Sequence, residues 1–597
     1  MPSDTNMHSS SGTLHPSLAR SDNTGPSVCQ WDSRPGKGFD THLSVSHKIF
    51  LWPAVYHQFA LGGAKSSPDL RPLAWIGSAW LMRKDELVAG NLPCDKNKHF
   101  SKLASGCVLF PELSIDQVES YSVAYFNIFN RLFPLLGWDL FVDGVLARLS
   151  CQGYRDDDPE SVLALLVCAL GQLARKGAHE PSASTVHGEP SGFHGGTIQL
   201  PPGLSLFNQA RRRLGIVVSR CSLETMQILL LEGTYFEACA RHTDFWSSVS
   251  AASMSCMSLL KSQAIRWSSR YGDLIKRAFW ICVLHERSIN LEFRVADTGI
   301  ETLSELVPLP HFPNINDEER AFGDRGTESL ADLNGPAESD YAYHLSAMIA
   351  LGRLTRRAND IIHDYEPVIH ETKPQVEESL ASANLSSGVG FSDSNEQQQV
   401  PLGLLRELAH ELESWRQTLL QRFQWSDDRR FDYTEMEPMS NLSRNSFFNL
   451  AKNAGPGEMD HNIDIAVAHL RTCYYQARFL VYRPFIYKAL YQPRLMAPSD
   501  RNDCAFAIEA ACHWPMSLAP PQNKNASSSA PLFMDAKLPS DTAILKFCLR
   551  QGPLYDICQE HGVSETYIWD TFVAMKSWVE DVSQVDGIAR WGLQVFL

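Results

Sequence analysis

The chain has 597 residues, 44% of them hydrophobic, so it can bury a large core. Its formal net charge of -15 gives no overall attraction to nucleic-acid phosphates, so direct binding would require a local basic patch. The first residues, MPSDTN, lack the apolar core of a secretory signal, and the longest apolar run, 162–170, is far shorter than the roughly 20 residues of a membrane-spanning helix. We therefore expect no secretory signal and no membrane span.

The 14 cysteines are spread through apolar helical patterns, as at Cys168, Cys256 and Cys282, rather than clustered in loops. Cysteine used as a small hydrophobic residue suits a reducing compartment, which predicts an intracellular protein. No two cysteines have the spacing of two intervening residues with which paired thiolates reach one tetrahedral zinc ion. We therefore expect neither a bound metal nor a cofactor.

The first ordered elements follow a polar start. Residues 1–45 are rich in Ser, Pro, Gly and Asn and predict a disordered tail. Order is expected to begin near 47–53, as an anchoring strand or turn of helix. Ser114 and Gln117 have the spacing of a capping box, and the helix that follows is predicted to stop at Pro134. Its buried face is expected to hold Val118, Tyr121, Tyr125, Phe126, Phe129 and Leu132.

The next predicted helix runs from Pro159 to about Lys176, with Asp158 as its cap, and a Gly- and Pro-rich loop covers 177–203. Helix resumes over 207–218 and carries three successive arginines, 211–213. Three arginines are more typical of a solvated helix face than of a nuclear-import patch, which is the alternative interpretation.

Residues 222–260 predict a helical hairpin. Ser222 can cap the first helix, whose inward stripe is Leu223, Met226, Leu230, Gly233 and Phe236. The second helix, 244–260, is rich in Ser and Ala and can approach a neighbour closely.

A third helix is predicted over 271–290, with Leu274, Ala278, Phe279, Cys282, His285 and Ile289 on its buried face. The basic pair Lys276-Arg277 is expected to lie off that face. Two prolines in the segment 307–310 forbid further helix and close the unit.

The C-terminal half continues as helices and inserts. A polar loop near 314–339 precedes a helix over 341–365, and 373–400 is a low-complexity insert. Long amphipathic helices are marked by Leu405, Leu408, Leu412, Trp415, Leu419 and Phe423, and by Ile463, Val467, Leu470, Tyr474, Ala477 and Val481, the latter ending in 482–487. Further helices are predicted over 503–517, 541–551 and 567–586.

No stretch alternates with period two and no repeat recurs at a fixed period, so the predicted fold class is all-α. We expect one large, irregular multi-helix array. Its core part spans 46–372 and its C-terminal helical part spans 401–597.

Several of these segments together resemble a known family. The ordered runs SLETMQILLL (222–231), KRAFW (276–280), ER (286–287) and VPLP (307–310) are similar to the regulatory, or middle homology, domain of fungal zinc binuclear cluster transcription factors. The aromatic helix with its Phe-Pro turn (124–136) and the late YRPF run resemble further parts of it. The matching positions are Lys276, Arg277, Phe279, Trp280, Glu286, Arg287, Pro308, Pro310, Arg483 and Pro484. Since no Gly-Arg-Pro-like turn follows Glu286-Arg287, the resemblance is to a divergent member.

The resemblance implies a nuclear transcription regulator of a metabolic pathway, such as one for a secondary metabolite, that responds to a small-molecule effector. The family's DNA-binding module holds two zinc ions with six cysteines, but the first 110 residues contain only Cys29, Cys94 and Cys107. We therefore expect DNA binding to be indirect, through a protein partner or within a homodimer. The alternative is a co-regulator or scaffold that does not bind DNA.

Three patterns in the sequence could indicate an enzyme. Asp156, Asp157 and Glu160 have the spacing of a terpene-synthase motif for magnesium diphosphate, but the second such motif, beginning at Asn359-Asp360, lacks its final acid. His363, Glu366 and His370 could be metal ligands at helical spacing, but Pro367 disrupts the shared face. His410-Glu411 lacks the second histidine of a zinc protease. We expect no catalytic residues.

Overall fold

The computed structural model describes the following residues: 44–55, 73, 77–89, 107–108, 113–177, 185–186, 189–190, 201–262, 264–295, 297–312, 338–365, 401–425, 427, 456–517, 538–550, 552–583 and 586–596. The expected tail (1–45, apart from its last two residues), the insert 373–400 and most of the loops 177–203 and 314–339 lie outside these residues. The all-α fold class is confirmed.

The helices follow one another in chain order. They are α1 (Val45–Lys48), α2 (Ser78–Ala89), α3 (Ile115–Leu132), α4 (Ala147–Gln152), α5 (Pro159–Gly177), α6 (Leu204–Val217), α7 (Leu223–Ala238), α8 (His242–Ser262), α9 (Arg270–Phe293), α10 (Glu338–Tyr365), α11 (Leu402–Gln417), α12 (Pro456–Tyr491), α13 (Pro498–Ser517), α14 (Leu538–Cys548), α15 (Pro553–Glu560), α16 (Glu565–Val582) and α17 (Gly587–Phe596). Short 3-10 turns cover Ile49–Leu51, Ile300–Leu303, Gln421–Phe423 and Pro493–Leu495, and a π-helix covers Leu140–Leu146.

In the described part of the chain, strands are limited to two antiparallel pairs of two residues each. Strand β1 (Cys107–Val108) pairs with β2 (Tyr154–Arg155), and β3 (Thr185–Val186) pairs with β4 (Glu189–Pro190). Neither pair is long enough to contribute a sheet to the core.

Local capping explains where the predicted helices begin. Ser114 and Gln117 form the expected capping box, with Ser114 Oγ accepting from Gln117 N and Gln117 Oε1 accepting from Ser114 N. Ser222 Oγ accepts from Thr225 N at 3.3 Å, and Asp158 Oδ2 accepts from Ser161 N at 3.0 Å. The predicted starts of α3, α5 and α7 are confirmed.

The hairpin of α7 and α8 lies at the centre of the fold. Helix α7 is buried on nearly every side, because α5, α8 and α9 all pack against it, rather than on the single predicted stripe. Even the polar Gln227 is buried, and its Nε2 donates to Leu135 O at 3.1 Å. Burial also raises the pKa of Glu232 to about 7.

Two of the three arginines of α6 lie on the predicted solvated face. Arg211 and Arg212 are exposed, and the Arg211 guanidinium lies over the ring of Phe236. Arg213 is buried, donates to Gln209 O at 2.7 Å and lies 2.9 Å from Asp156 Oδ1. The prediction is wrong for Arg213, because Asp156 in the turn before α5 supplies its counter-charge.

Helix α12 extends past the predicted end, through Pro484 and on to Tyr491. A proline inside a helix lacks the N–H that would bond the carbonyl four residues earlier, so tertiary packing must compensate. Phe485 is fully buried, and Arg483 is buried with its guanidinium 5.7 Å from the centroid of the Trp52 ring. The segment around Trp52 is thus the predicted anchor, and it is a turn of helix.

The main hydrophobic core extends from Ile49 to Trp591, and a second, smaller cluster joins α10, α11 and α12 through Ile362, Leu405 and Leu480. The described residues between 44 and 596 belong to one compact unit. His242 Nε2 lies 2.8 Å from Asp586 Oδ2, which joins α8 to the turn before α17. The C-terminal helices therefore complete the same core as the central hairpin.

Candidate functional site

The first turn of α9 carries a buried carboxylate that organises the basic pair. Asp273 is 0% exposed; its Oδ2 accepts from Arg277 Nε and its Oδ1 accepts from the backbone N–H of His311, each at 2.8 Å. Lys276 Nζ lies 3.7 Å from Asp273 Oδ1. The prediction that Lys276-Arg277 lies off the buried face is wrong, because this carboxylate supplies the counter-charge that lets both side chains be buried.

The proline segment packs back along α9. Trp280 Nε1 donates to the carbonyl of Pro308 at 3.0 Å, and the Arg277 guanidinium lies 3.6 Å from the centroid of the Phe312 ring. Pro310 is buried. The KRAFW and VPLP runs, about 30 residues apart in sequence, are therefore one packed unit in space.

The second pair of motif positions, Glu286-Arg287, holds the segment that follows α9. Arg287 Nε and Nη2 both donate to Glu301 Oε1, at 3.1 and 2.5 Å, while Arg356 of α10 binds the other oxygen of Glu301. Thr298 Oγ1 donates to Glu286 Oε1 at 2.5 Å. Burial lowers the pKa of Arg287 to about 10 and raises that of Glu286 above its usual value.

A cavity of about 540 Å³ opens beside these residues. Its walls come from α9, α10 and α12, from the segment 294–301 and from Ser44 and Phe133. Its volume lies within the range of pockets that hold small organic ligands. Glu286 and Arg287, matched by sequence to the regulatory family, are both on its wall.

Two buried histidines, His285 and His469, line the cavity, and a third, His344, lies next to His469. His285 packs against the Phe133 ring with 4.5 Å between centroids, and His469 Nδ1 lies 3.2 Å from His344 Nε2. Burial lowers the pKa of His285 to about 3 and that of His469 to about 4, and it also lowers the pKa of His344. All three rings are therefore neutral at physiological pH.

The wall also carries buried polar atoms without a hydrogen-bond partner. They are Arg287 Nη1, Asn290 Oδ1, Asn359 Oδ1 and Gln476 Nε2. Buried polar groups are nearly always satisfied, because leaving one unpaired costs roughly 1–3 kcal/mol. The four residues line the cavity, but these atoms are themselves inaccessible to solvent and lie within the wall.

Gly352 lets α9 and α10 meet at this wall. A Cβ at that position would stand 3.1 Å from Arg287 Nη1 and 3.2 Å from Leu284 Cδ2, tighter than ordinary van der Waals contact. Glycine at position 352 therefore makes room for the Arg287 guanidinium.

Other sequence candidates lie elsewhere. Arg483 and Pro484 do not line the cavity. In the acidic run, Asp158 caps α5 and is 2.5 Å from Arg148, while Asp156 is paired with Arg213. Asn359 and Asp360, which begin the second acidic pattern, line the cavity, whereas Asp156 and Asp158 of the first pattern do not. The structure therefore does not bring the two patterns together.

The His410-Glu411 pattern does not form a metal site. His410 is exposed and Glu411 pairs with Arg357, with Arg357 Nη1 2.5 Å from Glu411 Oε2. The side chains of His363, Glu366 and His370 lie outside the described residues. Across the described ranges, no group of three or more His, Cys, Asp or Glu could hold a metal ion.

Sequence reasoning missed Asp273 and the cavity amides Asn290 and Gln476. Asp273 stands three and four residues before the basic pair, a helical spacing that places opposite charges together and could have indicated the buried cluster. No local signal marks the two amides, because they come from helices α9 and α12, far apart in sequence.

Comparison with family models, curated proteins and solved structures finds no match to this chain. Among the helices that the structure describes, none combines the length and apolarity needed to cross a membrane.

Proposed function

We propose that this protein is a nuclear, effector-responsive regulator of transcription for a metabolic pathway, in particular one of secondary metabolism. The proposal is supported by the ordered resemblance of its motif runs to the regulatory domain of fungal zinc binuclear cluster factors. The observation that carries it is spatial. Four of these runs (222–231, 276–280, 286–287 and 307–310) lie on or against helices α7 and α9, and the run 286–287 lines a ligand-sized cavity.

The geometry supports coupling between the cavity and the surrounding fold. Arg287 on α9 and Arg356 on α10 bind opposite oxygens of Glu301, which belongs to the segment after α9. A ligand that contacts this wall would bind with different affinity to different arrangements of the two helices. Such a difference in affinity is what allows a ligand to shift a conformational equilibrium.

Action on DNA through a partner follows from the charge. Nonspecific DNA affinity comes mainly from neutralising phosphates with Lys and Arg, and the net charge here is -15. Two of the three successive arginines, Arg211 and Arg213, are occupied within the fold. The protein partner is a DNA-binding factor or a second copy of this chain with a DNA-binding partner.

Two measurements test the proposal together: chromatin occupancy of the tagged protein in cells, and binding of the purified chain to the occupied promoter DNA. We expect occupancy without direct binding by the pure chain. Tight sequence-specific binding by the pure chain would contradict the partner model, and exclusion from the nucleus would overturn the transcriptional proposal. Nuclear localisation without chromatin occupancy would favour the alternative, a co-regulator or scaffold that does not bind DNA. The acidic net charge and the lack of zinc-cluster cysteine spacing are also consistent with that alternative.

We further propose that the chain is not a terpene-synthase-like enzyme. Asp156 is paired with Arg213, and Asp158 serves as a helix cap. Incubation with a prenyl diphosphate and magnesium is expected to give no turnover. Turnover that is abolished by Asp156→Ala with Asp157→Ala would reverse this assignment.

A further inference from the structure

Most of the charged groups on the cavity wall are already paired within the protein. Arg287 and Arg356 share the two oxygens of Glu301, and Arg356 Nε also lies 3.4 Å from Asp360 Oδ2. Asp297 Oδ1 accepts from the backbone N–H of Gly299 at 2.7 Å. An ionised ligand would therefore lose its hydration without gaining a counter-ion that is not already engaged.

The remaining surface has two kinds of groups. The carboxamides of Asn290, Asn359 and Gln476 line the cavity, and a carboxamide can both donate and accept hydrogen bonds. Apolar and aromatic side chains form a further part of the wall, and they are Phe133, Val283, Leu284, Met348, Leu351 and Cys473. This combination is typical of sites that enclose an apolar body and orient it with a few hydrogen bonds.

We infer that the cavity binds an uncharged small molecule with a largely apolar body and hydrogen-bonding groups, and that it discriminates against carboxylates, sulfonates and phosphates of the same shape. The inference names the class of effector in the proposed function and rests on that function for its biological meaning. Binding to purified protein is a separate measurement from chromatin occupancy, so each proposal can fail without the other.

A matched pair of fluorescent probes tests the inference. N-phenyl-1-naphthylamine is uncharged, and 8-anilinonaphthalene-1-sulfonate has the same ring system with a sulfonate. Each is titrated into the purified full-length chain, and the sulfonate is then tested as a competitor. We expect saturable binding of the neutral probe, and an affinity for the sulfonate at least roughly tenfold weaker, since an unpaired charge in a desolvated site is costly.

Two variants on one helix locate the site. Thr355 lines the cavity on α10, whereas Ala350 is on the exposed face of the same helix. Thr355→Trp should weaken binding of the neutral probe by roughly tenfold or more by filling the space, while Ala350→Trp should leave it unchanged. Thr355→Met is the milder filling variant, to be used if the tryptophan variant does not fold as judged by circular dichroism.

Each other outcome overturns the inference. Equal affinity for the two probes at a shared site would refute the discrimination against anions. Neutral-probe binding that survives both folded Thr355 variants would show that the cavity is not the site. Absence of saturable binding by the neutral probe would refute the inference as a whole.

Discussion

Replacing Asp273 with asparagine removes the charge that holds the first turn of α9 to the proline segment, while keeping the side-chain shape. The carboxylate accepts from Arg277 Nε and from His311 N, each at 2.8 Å. Arg277 is 5% exposed and Lys276 is 3% exposed, so neither can recover its hydration without local unfolding. The amide of asparagine also places a donor where one of the two present donors now binds.

The expected cost follows from these contacts. Hydrogen bonds to a charged group contribute about 1.5–3 kcal/mol each; asparagine loses one of the two and makes the other with a neutral oxygen. Removing one partner of a buried ion pair costs about 3–5 kcal/mol in measured cases, because the other charge is left uncompensated. We therefore expect Asp273→Asn to lower the free energy of unfolding by about 4 kcal/mol.

Urea denaturation followed by circular dichroism measures this change. The matched control is Asp360→Asn, because Asp360 is 59% exposed and 3.4 Å from Arg356, so its loss should cost less than about 1 kcal/mol. Adding Arg277→Met to Asp273→Asn should recover part of the stability by removing the unpaired charge. A cost for Asp273→Asn no larger than that of the control would refute the reasoning.

Three further predictions concern the cavity. The folded pKa values of His285 and His469 are about 3 and 4, below the usual 6.5, so protonation of each ring in the unfolded chain should lower stability by about 1.4 kcal/mol per pH unit below about 6.5. His344, whose pKa is also lowered, adds to this fall, whereas Glu232 and Glu286, whose pKa values burial raises, oppose it. Urea titrations at pH 7 and pH 5 should show a net loss of stability at pH 5, and a gain there would contradict buried neutral rings. Gly352→Ala should lower stability by about 1 kcal/mol, because the new Cβ would crowd Arg287, which is held in place by Glu301. The control Gly403→Ala, whose Cβ meets nothing within 4 Å, should raise stability by about 0.5–1 kcal/mol. Equal effects of the two substitutions would contradict the close contact between position 352 and Arg287. Gln476→Leu should raise the melting temperature by removing an unpartnered buried donor worth about 1 kcal/mol, and a loss of stability would count against this.

The helices themselves were accessible from sequence because their signals are local. A capping serine, a first-turn acid or a proline acts within one turn, so the starts of α3, α5 and α7 could be placed from Ser114, Asp158 and Ser222. An interior proline is a weaker signal for the end of a helix, because packing of the buried Phe485 and its neighbours stabilises α12 beyond Pro484. The burial of Lys276 and Arg277 is likewise not predictable from local sequence, because it depends on which tertiary elements pack over them.

The sequence by itself determined the all-α class, the order of the helices and the motif runs, because helical periodicity and capping are set by neighbours along the chain. Only the tertiary structure decided that His311 returns to cover Asp273, that Arg213 is buried, and that residues of α9, α10 and α12 enclose a cavity. Such features depend on contacts between residues tens to hundreds of positions apart. Their energies arise from desolvation and from the partners that packing supplies, and no local pattern encodes either.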